Sequence, residues 1–329
     1  MKRCWQARDC SLQTHAWVRG AAVRKHQHSG EKAVSGSRAR GSPLNTEGSQ
    51  QWWDGHWQRA LPRGRYLYPK AVPTTQRELF EREKASHIER LLDEKQISNG
   101  LVLECGCGTA AMSLYMANRG FRAIATDVST TALAIAALNA HENGTADGVR
   151  NLMLMGADVF SLPFRDGTFD VVMSHGLLEH FDRQSLRLIM SEMVRVTRPG
   201  GLFLADIIPG VFSVRSIADW INLPVKLLYY SWHRELDNVR LVWTSHFHGF
   251  YENSLDAEEW QQELELASLS DVEVRVMRPF PHLELIPSIE RMYVALMTRL
   301  LGVWRRFDRA QSRLTRRWGW LYLAHGTKR

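Results

Sequence analysis

Between Leu101 and Ile208 the 329-residue chain alternates short apolar runs with segments of helical pattern, and no other feature limits its fold so tightly. LVLEC (101–105), FRAIATD (121–127), NLMLMGAD (151–158), FDVVMSH (169–175) and GLFLADII (201–208) read as strands, with helices over 128–143 and 184–197. Runs that are apolar on both faces and joined by crossover helices predict a parallel, doubly wound α/β sheet covered on both sides. Ligands of such sheets gather beyond the carboxyl ends of the strands, so chemistry is expected in the residues that close each strand.

Composition narrows the class. Four cysteines in so long a chain cannot build a disulfide framework, which predicts a reducing compartment, the cytoplasm. No run reaches the roughly 18 apolar residues of a membrane span, and the charged N-terminus lacks the apolar stretch of a secretion signal. The net charge of +7 is unevenly placed. Residues 1–50 carry nine Lys/Arg against three Asp/Glu, and residues 288–317 carry eight Arg against Glu290 and Asp308. Both basic blocks lie outside the strand-rich region, so a nucleic-acid substrate is not expected.

Residues 1–50 are rich in Ser, Gly, Arg, Gln and His and are expected to be a disordered basic segment. A transit peptide or a start codon set too early has the same composition. Residues 51–329 are expected to form one domain. Trp52, Trp53 and Trp57 open it and are expected to cap its core, with a wall of a substrate pocket as the other reading. A charged helix follows over Gln76–Glu94. After Ile208, residues 209–254 are crowded with aromatics, among them Trp220, Tyr229, Trp232 and Trp243, read either as a substrate lid or as a helical pair buried on the core. Arg234 and Arg240 of this region are candidate partners of an acidic substrate group. A helix near 255–267, a strand DVEVRVM (271–277) and a last strand WGWLYLA (318–324) complete the pattern.

The first strand ends in Glu104 and runs into the turn Gly106-Cys107-Gly108-Thr109-Ala110-Ala111. Alone, this turn also fits a dinucleotide fingerprint, with Asp127 some twenty residues on. Glu104 separates the two cofactors, because a carboxylate at the mouth of the turn repels a pyrophosphate and suits an ammonium. S-adenosylmethionine carries the ammonium and no phosphate. Asp127 closes the second strand and can accept both ribose hydroxyls; Asp158 closes the third and can accept from an adenine amino group. Cys105 and Cys107 read as small fillers of the turn, and no metal is expected.

VLECGCGTA, ATDVS, GADVFSLPFRDGTFDVVMSHGLLEHF and VTRPGGLFLADI resemble, in order and spacing, the motifs of class I S-adenosylmethionine-dependent methyltransferases of the small-molecule, type 11-like kind, over residues 100–208. The resemblance implies a Rossmann-like, seven-stranded, mostly parallel sheet with its last strand antiparallel. It implies a cofactor site of Glu104, Gly106, Cys107, Gly108, Asp127, Val128, Asp158, Val159, Ser174 and His175. Ala110 replaces the usual third glycine of the turn, a mild change if its φ is negative.

A phenol or hydroxyl acceptor needs a base to take its proton. His175 is the first choice, with His180, His246 and His248 as further candidates; the last two share one face of an extended segment. Before the last strand, Ile289, Met292, Tyr293, Leu296, Leu300, Trp304, Phe307 and Leu314 recur at helical spacing among the arginines, predicting one inserted basic amphipathic helix over 288–317. It can pack on the domain, pair two subunits, or lie on an anionic membrane. The sequence reading is therefore methyl transfer from S-adenosylmethionine to a small apolar or aromatic acceptor at oxygen. Its rivals are a nicotinamide-dependent oxidoreductase and a non-catalytic module that binds S-adenosylmethionine.

Overall fold

Seven strands form one sheet in the order β3-β2-β1-β4-β5-β7-β6, in a computed structural model that describes residues 49–60, 68–208, 214–232, 255–277, 287–310 and 319–329 with a few short pieces between 234 and 285. The strands are β1 (Leu101–Cys105), β2 (Arg122–Asp127), β3 (Leu152–Gly156), β4 (Phe169–His175), β5 (Thr197–Ile207), β6 (Leu269–Met277) and β7 (Leu321–Lys328). Strands β1 to β5 pair in parallel, and β7 runs antiparallel to both β5 and β6. The expected sheet is thus observed. Strand β7 starts three residues later than read from WGWLYLA, because Gly319 and Trp320 form the approach to the strand.

Ten helices flank the sheet among the described residues: α1 (Ser49–Ala60), α2 (Gln76–Glu94), α3 (Ala111–Asn118), α4 (Thr130–Asn143), α5 (Ala146–Asn151), α6 (Arg183–Val196), α7 (Val214–Trp232), α8 (Ala257–Leu266), α9 (Pro287–Arg299) and α10 (Leu301–Ala310). Their starts are written locally. Thr75 and Glu78 close a capping box on α2, Asp256 and Glu259 do the same on α8, and the Ser129 hydroxyl accepts from Ala132 N–H at the head of α4.

Strand alternation divides the core into two layers. Leu103, Cys105, Val172, Phe203 and Ala205 face α6 and α8, where Trp260 is fully buried. Val102, Val171, Met173, Leu202 and Leu204 face α2 and α3. Burying apolar side chains on both faces explains why these strands read as continuous apolar runs.

Two expectations about the periphery need correction. The inserted segment is two helices broken at Leu300, and its stripe divides. Tyr293, Val294, Met297, Leu301 and Trp304 pack around Leu79 of α2, whereas Ile289, Met292 and Leu296 face solvent. The insert has two apolar faces, and the sequence stripe took members of both: Tyr293, Leu300 and Trp304 from the inner one, Ile289, Met292 and Leu296 from the outer. Helix α7 likewise buries Val214, Ala218, Asn222 and Leu223, so Trp220, Tyr229 and Trp232 point outward instead of packing on the core or over the cleft. Among the described residues no helix is long and apolar enough to cross a membrane. The expected disordered segment lies, but for its last two residues, outside the described residues, as does Leu314.

Candidate active site

A cavity of about 370 Å³ opens at the carboxyl edge of β1, β2 and β4, and the three strand-closing acids Glu104, Asp127 and Asp158 all line it. That volume suits a small-molecule cofactor site. Gly106, Cys107, Gly108, Val128, Val159 and His175 line it too. Ser174 does not: it sits in register with Cys105 and Ala205 on the α6 face, fully buried. His175, one residue on, faces the opposite layer by strand alternation.

The turn after β1 is bent into a left-handed conformation at Gly106 (φ +64°) and Gly108 (φ +51°). A side chain on either would also collide, with Leu177 at 2.8 Å or with the Trp57 ring at 2.7 Å. Ala110 is left-handed as well, at φ +51°, so the condition under which alanine would be a mild replacement is not met. Glu104 accepts from the Ser113 N–H (2.9 Å) and the Ser113 hydroxyl, both on Oε2, which leaves Oε1 to meet a ligand. Burial raises the Glu104 pKa, against the opposing pull of His175 and Ser113. Asp127 Oδ2 accepts from Gly108 N–H and Oδ1 from Ser129 N–H, each at 2.8 Å. Burial raises the pKa of Asp127 despite these bonds. The more exposed Asp158 accepts from Phe160 N–H at 3.0 Å.

Beneath Glu104 lies an ionic cluster that the sequence reading missed. Lys84 of α2 is buried 2.8 Å from Asp206 Oδ2 and 3.3 Å from Glu81. Burial would strip its proton, but Asp206 and Glu81 outweigh this and hold the ammonium above its ordinary range. For Asp206 burial works upward, and Lys84 and His175 overcome it, keeping the carboxylate ionised far below its usual range. His175 Nδ1 stands 3.1 Å from the same Oδ2, and Asp206 Oδ1 accepts from Gly176 N–H at 2.6 Å. Residues 175 and 206 are register partners of β4 and β5, which is why they meet.

Helix α1 closes the cavity from above. Trp53, His56 and Trp57 line it, which replaces the expectation that the tryptophans cap the core; the Trp52 side chain is outside the described set. Trp53 meets the His180 ring edge-on at 5.4 Å, so His180 lies in the cavity wall with His175. Asp54 anchors the helix, accepting from the Ser129 hydroxyl (2.5 Å) and Thr131 N–H (3.1 Å). His246 and His248, like Phe247 and Tyr251, lie outside the described residues, and Arg234 and Arg240 do not line the cavity.

The donor set fits S-adenosylmethionine. It offers a carboxylate oxygen for the ammonium at Glu104, acceptors for ribose hydroxyls at Asp127 and for an adenine amino group at Asp158, and a turn without side chains between them. No Lys or Arg lies within the turn to cradle a phosphate.

Residues 103–205 match a protein family described as a methyltransferase domain. Curated relatives include a 2-heptyl-1-hydroxyquinolin-4(1H)-one methyltransferase of Mycobacteroides abscessus, 29% identical over 36% of this chain and 49% of the relative. A malonyl-[acyl-carrier protein] O-methyltransferase of Pectobacterium atrosepticum is 35% identical over 41% of this chain and 49% of the relative. The chain thus spans about half the length of these relatives. Among solved structures, the magnesium protoporphyrin IX methyltransferase of Synechocystis with bound SAM aligns with a TM-score of 0.48 at 10% identity, over 85% of this chain and 95% of that one.

Proposed function

We infer that this chain, whose residues 103–205 match a methyltransferase domain, is a class I S-adenosylmethionine-dependent enzyme that transfers a methyl group to the oxygen of a small apolar or aromatic acceptor. The observation that carries the reading is the convergence of Glu104, Asp127 and Asp158 on one cavity around the Gly106–Gly108 turn.

Bound S-adenosylmethionine supplies an electrophilic methyl on a positively charged sulfur. The chain's own contribution is to position and to move a proton. Glu104 Oε1 receives the ammonium end, Asp127 the ribose hydroxyls and Asp158 the adenine edge. Trp53, Trp57, Phe160 and Phe181 provide an aromatic wall suited to a ring-bearing acceptor and exclude water from it. His175 Nε2 takes the acceptor's hydroxyl proton while Nδ1 faces Asp206, whose charge stabilises the imidazolium that results. Holding acceptor and donor in line supplies much of the remaining acceleration.

The test is incubation of the full chain with methyl-labelled S-adenosylmethionine and small-molecule extracts, read by mass spectrometry, alongside calorimetry with S-adenosylmethionine and with NAD(H). A product one methyl heavier, with the label on oxygen, supports the reading. Binding of NAD(H) alone overturns it.

A further inference from the structure

Helix α7 presents Ile217, Ile221, Val225, Leu228 and Trp232 along one ridge at spacings of three and four, with Leu228 71% and Trp232 86% exposed. The same helix buries Val214 and Ala218 in its first half and Asn222 and Leu223 at its middle. A 19-residue helix is about 28 Å long, and the five residues are spread over most of that length on either side of Pro224, which makes a row and not a scatter of single residues. A second ridge of Ile289, Met292, Leu296 and Val303 runs along α9 and α10, with Met292 73% exposed. Arg291, Arg299, Arg306 and Arg309 stand exposed beside it, and among the described residues none of the four has an acidic partner within ion-pair distance.

The two ridges leave the same edge of the molecule. Helix α7 follows β5 and α9 follows β6, strands that run in the same direction, and both helices are fastened to one short segment. Asn222 Nδ2 donates to His282 O and the Tyr293 hydroxyl donates to Pro281 O, each at 2.7 Å. That edge is the one on which the cavity opens.

We propose that the outer faces of α7, α9 and α10 form a docking surface that lies on an anionic membrane. Apolar ridges of Trp, Leu and Ile bordered by arginines are the chemistry of an interfacial helix: the ridge enters the acyl boundary and the guanidiniums meet acidic headgroups. Charge argues against a second copy as the occupant, because a twofold contact brings the same arginine-bearing patch of both chains together. None of the three helices is long and apolar enough to cross a membrane, so the contact proposed for them is with its surface. Resting on the activity proposed above, the consequence is that the acceptor is a molecule dissolved in lipid, delivered to the cavity from the interface.

The experiment is co-sedimentation of the full chain with vesicles of phosphatidylcholine and of an equal mixture of phosphatidylcholine and phosphatidylglycerol, without cofactor or acceptor, so its result is independent of catalysis. Two variants accompany it: Ile221→Ser/Leu228→Ser/Trp232→Ser, and Arg291→Gln/Arg299→Gln/Arg306→Gln/Arg309→Gln. Circular dichroism and cofactor affinity verify that each stays folded, and the two sets change different helices. Binding to the anionic vesicles at least tenfold tighter than to neutral ones, lost by tenfold or more in either variant, supports the surface. Absence of vesicle binding overturns it. So does equal binding by wild type and both variants, which would assign adhesion to the basic N-terminal residues. A stable dimer in solution that the same substitutions dissociate also overturns it.

Discussion

Lys84 Nζ lies 2.8 Å from Asp206 Oδ2 with both side chains buried, so a helix that precedes the first strand is ion-paired to the end of the fifth. The pair lies directly under the cleft, and through Asp206 it touches both His175 and the Gly176 N–H of the following turn. Removing the cation leaves Asp206 and Glu81 charged in a dry site. Lys84→Met is expected to destabilise the fold by about 3–5 kcal/mol in urea unfolding. The double variant Lys84→Met/Asp206→Asn should lose less than the two single losses added together. Strict additivity would mean that the two groups do not interact.

His175 is expected to act on the proton and not on cofactor binding. His175→Asn should lower kcat about 10²- to 10⁴-fold, while the calorimetric affinity for S-adenosylmethionine changes little. Asp206→Asn keeps an acceptor for Gly176 N–H but removes the charge that faces His175 Nδ1, and should lower kcat on a hydroxyl acceptor by less than His175→Asn does. A variant of His175 with unchanged kcat on a hydroxyl acceptor would remove the base from this position.

Glu104 sets the pH dependence of cofactor binding. Its carboxyl is raised above the ordinary glutamate value by burial, and only the ionised form attracts an ammonium. Affinity should therefore be greatest above that raised pKa and fall as pH drops through it, earlier than an unperturbed glutamate would allow. Glu104→Gln should weaken binding and flatten this slope. Calorimetry across the acid range checks both, and a wild-type affinity that is flat down to the ordinary glutamate range would contradict the assignment.

Much of the cofactor edge was legible because it follows from local rules. A parallel strand puts its last residue at the ligand edge, so Glu104, Asp127 and Asp158 could be placed from strand ends alone. Ser174 was misplaced by ignoring the same alternation that puts His175 in the cavity wall. The contributions of α1 and α2 come from far away in the chain, where no local pattern links Trp57 to Gly108 or Lys84 to Asp206. One signal was present: Lys84 stands four residues before Ile88 and eight before Leu92, on the buried stripe of α2. A charge on an apolar stripe calls for a buried partner. The insert misled for a different reason, since a helix with two apolar faces does not declare which one the core takes.

Acid sensitivity should have an identifiable source in β7. His325 is 2% exposed, and burial, helped by the nearby Arg275, lowers its pKa to about 4, with Glu273 3.5 Å from Nε2 acting the other way. The unfolded chain takes up this proton below about pH 6.5, whereas the folded chain does not until about 4. Its contribution is thus complete above pH 6.5 and is lost as pH falls toward 4, by about 3 kcal/mol at most. His325→Leu should reduce the slope of unfolding free energy in that window relative to wild type. Parallel slopes would show that carboxylates alone govern acid unfolding.

Ala110 offers a test in which stability rises. It is buried at φ +51° directly before α3, a conformation that opposes its Cβ to the neighbouring carbonyl. Glycine relieves that strain, while adding freedom to the unfolded chain that offsets part of the gain. Ala110→Gly is expected to raise stability by about 0.5–1 kcal/mol. The left-handed turn that seats Gly108 N–H on Asp127 is unchanged by this substitution, so S-adenosylmethionine affinity should hold or rise modestly. Thermal unfolding with and without the cofactor separates the two effects. A loss of stability would mean that the alanine methyl contributes more packing in the β1 turn than its backbone strain costs.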